Sequence, residues 1–272
     1  MRFIFTALLL FLTLLVVMRA DVSAGQTKPG ASQNSREEAE RLWEQAIAAK
    51  GGRERLYSIS NLQLSVRDKQ WWWFRRVPYE IEALYVFPGK SWEWTDQTGT
   101  IFGFIIRMRN YDQGIHFAYL DHGKGGSVSP SKDQAIYRGG MSAIINAQLN
   151  YLMETRWVNP TPVSVARGKV GGHAVDIVRT VVRGYPKGEE TVSFALDRKS
   201  HLPRQVIYHT VSFGKEYSGG VSLSDYAAIN GVQMPGKVGR DRTIYQFNVD
   251  YNQQIFERAP SREAGIDAWK NK

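Results

Sequence analysis

The groupings that could carry covalent or metal chemistry fail one after another on spacing. His116 and His122 fall on one side of a single predicted strand. Six residues at ~3.3 Å each place them ~20 Å apart, too far to share an ion. Asp121 points the other way, and His173, His201 and His209 are scattered through turns and strand ends. Neither a metal nor any other cofactor is expected. Ser129, Pro130, Ser131 and Lys132 match S-x-x-K, with Ser224-Asp225-Tyr226 and Lys237-Val238-Gly239 as faint echoes of the penicillin-binding set. That chemistry needs Ser and Lys one helical turn apart, whereas Ser129-Pro130-Ser131 reads as loop. There is no G-x-S-x-G elbow. Glu80 and Glu82 alternate on a wet strand face, and Glu189-Glu190 sit in a hairpin loop, so no two carboxyls flank one cleft as glycosidase chemistry requires. Gly123-Lys124-Gly125-Gly126 has no Walker context and reads as a turn, not a phosphate cradle. The chain is therefore expected to have no catalytic residues and not to be an enzyme.

What remains is aromatic and aliphatic: 8 Trp, 13 Tyr and 12 Phe, more than turns and edges require. Because side chains alternate across a strand, Tyr79, Ile81, Tyr85 and Phe87 share one face, with Glu80 and Glu82 facing water. Trp92 and Trp94 share a face, as do Phe102 and Phe104, and so do Thr243, Tyr245, Phe247, Val249 and Tyr251. Trp71-Trp72-Trp73-Phe74 is aromatic on both faces. An open hollow that accepts acyl chains accounts for this surplus, and a β-sandwich or tight barrel accounts for it as well. The residues expected to line such a hollow are Tyr79, Ile81, Tyr85, Phe87, Trp92, Trp94, Phe102, Phe104, Ile145, Leu149, Phe194, Tyr245 and Phe247.

These residues need a sheet and helices to hold them. Ser35 and Glu38 form a capping box for a helix over 36–50, whose stripe is Ala39, Leu42, Trp43, Ala46 and Ile47, ended by Gly51-Gly52. A second helix is expected over 141–154, with Ile144, Ile145, Leu149 and Leu152 at helical spacing. Strands fill 59–120, with a polar loop at 123–131. A hairpin turns at Gly171-Gly172. The run from Thr191 to Phe256 reads as further antiparallel strands, broken at Gly219-Gly220 and turned at Asn230-Gly231. No internal repeat of 20–50 residues is present. The expected class is α+β: a strongly curved, mostly antiparallel sheet, an incomplete barrel, wrapped around two or more helices.

Residues 1–24 read as a signal peptide. Arg2 is the basic segment, Phe3 to Met18 the apolar one, and Val22-Ser23-Ala24 the cleavage site. Arg19 keeps open an uncleaved inner-membrane anchor. Residues 25–34 read as a flexible leader, and 35–272 as a single domain large enough to bury about 70% of its unfolded surface. The absence of cysteine excludes disulfides, thiolate chemistry and a lipidated cysteine anchor. A net charge of +9 suits an anionic membrane surface or acidic partners, and in an exported chain it does not point to nucleic acid.

Leu196-Asp197 with the turn to Leu202-Pro203, the segment Asp225-Tyr226…Asn230-Gly231…Pro235, and Asn248 to Pro260 resemble the end of bacterial envelope proteins of the outer-membrane lipoprotein-carrier group, the LolA/LolB-like fold. The segment Ala46 to Leu64 is similar to that group's opening helix and first strand. The resemblance implies a periplasmic protein that binds and carries a lipid acyl chain or lipoprotein without covalent chemistry, as in outer-membrane lipoprotein sorting. A periplasmic sensor of the same fold, or a hydrolase on an unfamiliar scaffold, are the alternatives.

Overall fold

The computed structural model describes residues 33–72, 75–96, 105–110, 116–121, 126–131, 134–186, 188–212, 215–257 and 265–271. The signal segment 1–24, Trp73, Phe74, Phe102, Phe104, His122 and the glycine run 123–125 lie outside them. The chain opens with helices α1 (Gln33–Lys50) and α2 (Arg53–Tyr57). A meander follows through β1 (Asn61–Trp72), β2 (Arg75–Val86), β3 (Lys90–Asp96), β4 (Ile105–Asn110), β5 (His116–Asp121) and β6 (Gly126–Ser131). Helix α3 (Gln134–Leu152) then carries the chain to the far edge. A second meander runs back through β7 (Thr161–Val170), β8 (His173–Tyr185), β9 (Gly188–Asp197), β10 (Pro203–Ser212), β11 (Lys215–Ile229), β12 (Val232–Val238) and β13 (Asp241–Phe247). β13 pairs with β1, giving one 13-stranded sheet in the order β6-β5-β4-β3-β2-β1-β13-β12-β11-β10-β9-β8-β7. Every pairing is antiparallel, and the curved sheet stays open between its edges β6 and β7.

Helix α1 buries the expected stripe of Ala39, Leu42, Trp43, Ala46 and Ile47. It starts at Gln33, inside the expected leader, so Ser35 and Glu38 lie within the helix. The Ser35 hydroxyl instead accepts the Val165 amide of β7 at 3.4 Å. The end is as expected: Gly52 N–H reaches back to Ile47 O at 2.9 Å, with Gly51 and Gly52 both at positive φ. A Cβ on Gly51 would stand 2.4 Å from Gly231 O, because the β11–β12 hairpin packs directly on this turn. That hairpin turns through Asn230 (φ 50) and Gly231 (φ 80), the conformation that Asn-Gly favours.

Antiparallel partners share a face. On the helix-bearing face, Leu62, Leu64 and Val66 of β1, Tyr79 and Ala83 of β2 and Tyr245 of β13 join α1 and α3 in one core. The reverse face is also covered. Leu84, Trp92 and Trp94 pack there with Ile255, Phe256 and Trp269 from the C-terminal segment. The chain reaches that face because β13 stops at Phe247. Asn248 turns at φ 51, its Oδ1 accepting the Ser60 amide at 2.7 Å and its Nδ2 donating to Ser58 O at 3.1 Å. Val249 and Tyr251 therefore join the reverse-face cluster and do not extend the row of Tyr245 and Phe247.

Other expectations are corrected in the same way. Glu82 is not on a wet face: it is 7% exposed and accepts from Gln63 Nε2 and Ser65 Oγ, each at 2.6 Å. β11 runs unbroken through Gly219-Gly220, where a Cβ on Gly220 would meet the Gln205 amide at 2.4 Å. The second helix begins at Gln134, before Gly139-Gly140, and Gly126–Ser131 is the edge strand β6 and not loop. Ser129 and Ser131 are thus in a strand, which still denies S-x-x-K its helical turn. Helix α3 ends at Leu152, and Met153 after it takes a left-handed φ of 68 and is fully buried.

Candidate functional site

The helix-bearing face brings together Tyr79, Ile81, Tyr85, Phe87, Ile145, Leu149, Phe194, Tyr245 and Phe247 of the residues expected to line a hollow. Trp92 and Trp94 are not among them. Trp92 stands opposite Leu84 and Trp94 opposite Glu82, on the reverse face. Phe102 and Phe104 lie outside the described residues. Within the face, burial is uneven. Leu149, Leu152 and Phe194 are fully buried, whereas Ile81, Tyr85, Tyr151 and Phe247 are half-buried. Phe194 meets the Trp43 ring edge-on at 4.9 Å, and Tyr151 of α3 meets Tyr245 at 5.4 Å.

Polar bonds fix α3 over this face. Asn146 Oδ1 accepts the Tyr185 hydroxyl at 2.6 Å, and Asn150 Oδ1 accepts the Tyr208 hydroxyl at 2.8 Å. Beyond the helix, Thr155 Oγ1 donates to Gln148 Oε1 at 2.6 Å and accepts the Val158 amide. Glu154, fully buried, receives Arg53 Nε at 2.7 Å, the Tyr57 hydroxyl at 2.6 Å and Trp43 Nε1 at 2.9 Å. Burial pushes its pKa up, but those donors outweigh it and hold the carboxyl below its usual range.

Two further ionisable groups matter. Lys50, the last residue of α1, is fully buried. Its Nζ donates to Gln233 O, lies 3.9 Å from Met234 Sδ and sits 5.1 Å from the Tyr226 ring centroid. Burial lowers its pKa to about 7. Glu93 stands opposite Ala83, so it belongs to the helix-bearing face, among aromatics. It is half-buried, and burial raises its pKa despite a 3.4 Å hydrogen bond from the Thr95 hydroxyl.

Neither Glu93 nor the anchors Asn146, Asn150 and Glu154 were anticipated from sequence. In Ser91-Trp92-Glu93-Trp94 the alternation was legible, but its polarity was inverted: both faces are covered, so the Trp residues do not mark the core side. Among the described residues, no group of three or more His, Asp or Glu side chains could hold a metal ion. His209 is engaged by Ser193 Oγ at 2.9 Å and Ser218 Oγ at 3.3 Å. No described helix is long and apolar enough to cross a membrane.

The described chain is thus an open, curved antiparallel sheet with helices on one face and a C-terminal strap on the other. No family model and no curated protein matches it. Among solved structures it is similar to a DUF1329 family protein from Desulfovibrio piger, at 9% identity over 80% of this chain and 96% of that one, with a TM-score of 0.45. A putative outer membrane lipoprotein-sorting protein domain from Vibrio parahaemolyticus aligns at 11% identity over 81% and 96%, with a TM-score of 0.41. A LolA superfamily protein from Nitrosomonas europaea aligns at 12% identity over 80% and 96%, with a TM-score of 0.42.

Proposed function

We propose that this protein binds the acyl chain of a lipid or lipidated protein on its helix-bearing face and carries it through the periplasm, without covalent chemistry. The observation that carries the reading is the half-burial of Ile81, Tyr85, Tyr151 and Phe247 beside a fully buried apolar wall. Apolar side chains left partly wet next to a packed core offer a seat for further apolar surface. At about 0.8 kcal/mol for each buried CH₂, a single chain binds usefully with no catalytic group. The export segment read at residues 1–24 supports the compartment, and the sequence resemblance to the lipoprotein-carrier group supports the ligand class.

The test is calorimetric titration of the purified protein with a lysophospholipid. Binding with a negative heat-capacity change is expected, since apolar surface leaves water. Phe247→Ala removes one wall of the seat and should weaken binding severalfold. If the lysophospholipid does not bind, the carrier reading falls.

A further inference from the structure

We infer that Glu93 is the polar end of the acyl seat: a carboxylic acid that donates a hydrogen bond to the ester or amide carbonyl at the head of a bound chain. This rests on the acyl-binding reading above and adds to it a determinant of the ligand's head group.

The register places Glu93 on the helix-bearing face, opposite Ala83 of β2 on one side and Met108 of β4 on the other. No charged residue is its direct cross-strand partner. Tyr85 of β2, on the same face, and Tyr151 of α3 lie near enough to feel its charge. Both titrate above their ordinary range, first through burial and then through the nearby Glu93 charge. Asp241 of β13 also acts on Tyr151. Thr95, two residues along β3, supplies the hydrogen bond at 3.4 Å.

Three other enclosed carboxylates of the described chain are met by close donors. Glu154 has Arg53, Tyr57 and Trp43 within 2.9 Å. Glu82 has Gln63 and Ser65 at 2.6 Å. Asp197 has the Lys199 and Ser200 amides and Arg204 within 3.0 Å. Among the described residues Glu93 is met by one long hydrogen bond, from Thr95, and it is only partly buried. Enclosure moves such a carboxyl toward its neutral form, with the Thr95 hydroxyl the opposing bond among the described residues. A neutral acid has an O–H to give, and needs an acceptor. The acceptor that comes with any acylated ligand is the carbonyl joining the chain to its head. A cationic head would require the ionised form that this setting disfavours.

Three probes with one chain length separate the outcomes: an ester lysophospholipid, its alkyl-ether analogue without the carbonyl, and an N-acylated peptide. Wild-type protein should bind the ester about three- to tenfold more tightly than the ether, as one neutral hydrogen bond allows. That preference should fade as pH rises and Glu93 ionises. Glu93→Gln, which keeps a donor without titrating, should hold the preference at every pH. Glu93→Met should bind ester and ether equally. Tighter binding of the N-acylated peptide than of the ester lysophospholipid would point to lipidated protein as the source, and the reverse to free lipid. Equal wild-type binding of ester and ether, or an unchanged preference in Glu93→Met, overturns the inference while acyl binding stands. Failure of every probe to bind overturns both.

Discussion

Lys50→Met tests whether the end of α1 is docked on β12 as described. The ammonium is fully buried against Gln233 O, Met234 and the Tyr226 ring, and burial lowers its pKa from the ordinary 10.5 to about 7. Between those values the unfolded chain carries the proton and the folded one does not, so folding releases it. Stability of the wild type should therefore rise with pH from 7 to 10, by up to about 1.4 kcal/mol for each pH unit from this group. Below pH 7 both states are protonated and the full penalty, about 5 kcal/mol from burial alone, applies. Replacing the ammonium with methionine removes that penalty but leaves Gln233 O without its donor, which takes back about 2–3 kcal/mol of the gain. Methionine keeps the stem and drops the charge, so Lys50→Met should be more stable than wild type by about 1–3 kcal/mol at pH 6, with the advantage shrinking by pH 10. Urea melts of both proteins at each pH from 6 to 10 read this directly, because every other titrating group cancels in the difference. Parallel stability curves across that range would refute a buried ammonium at this site.

Glu154→Ala leaves the buried Trp43 N–H and the part-buried Tyr57 hydroxyl without their acceptor while Arg53, 41% exposed, keeps Glu44, and should cost about 1–3 kcal/mol, a fall in Tm of roughly 2–12 °C by calorimetry. Since the folded pKa of Glu154 is lowered, its wild-type contribution is present above the ordinary 4.5 and should be lost in acid melts as pH falls through the folded value. Glu82→Ala removes the acceptor of Gln63 and Ser65 and should cost about 1–3 kcal/mol in a denaturant melt; a change under about 0.5 kcal/mol would mean the carboxyl faces water after all. Gly51→Ala, with φ 127 and Gly231 O only 2.4 Å from the added carbon, should cost about 2 kcal/mol or more, while Gly172→Ala, with φ 81 and open space around it, should cost about 1 kcal/mol; equal losses would mean that only the backbone angle matters.

The elements most legible in the sequence were those specified locally. The α1 stripe, the Gly51-Gly52 stop and the Asn230-Gly231 turn each depend on a few neighbouring residues, and each stands where the pattern placed it. Alternation likewise grouped Tyr79, Ile81 and Tyr85 on one face. It misassigned Trp92, Trp94 and Glu82 because it presumes that a sheet has one wet side. Here the strap carrying Ile255, Phe256 and Trp269 covers the reverse face, and nothing near residues 80–96 announces it. The departure point at Asn248 was equally hidden. Its left-handed turn is held by Ser58 and Ser60, some 190 residues earlier in the chain. Glu93 followed from the same inversion: with the Trp residues assigned inward, the glutamate between them had to point out.

Chain order also accounts for the curvature on which the proposed seat depends. Laid flat, 13 strands at ~4.8 Å spacing would set the edges β6 and β7 ~58 Å apart. Helix α3 must bridge that gap, and its 19 residues at ~1.5 Å each span only ~28 Å. The few residues between α3 and β7 fall short of the rest, because 155–158 are folded into a turn. Thr155 N–H bonds Val158 O at 2.9 Å, and its hydroxyl returns to Gln148. The sheet therefore has to bend towards the helix until its two ends come within reach. That bend turns the residues of β1, β2, β3 and β13 that face α3 into a concave wall, with the Asn146 and Asn150 anchors on the opposite, β8–β10 side. The helix is thus fastened where it meets the second meander, and the half-buried Ile81, Tyr85 and Phe247 lie on the first meander and on β13, beyond those anchors. An acyl chain would enter on that side, past Glu93.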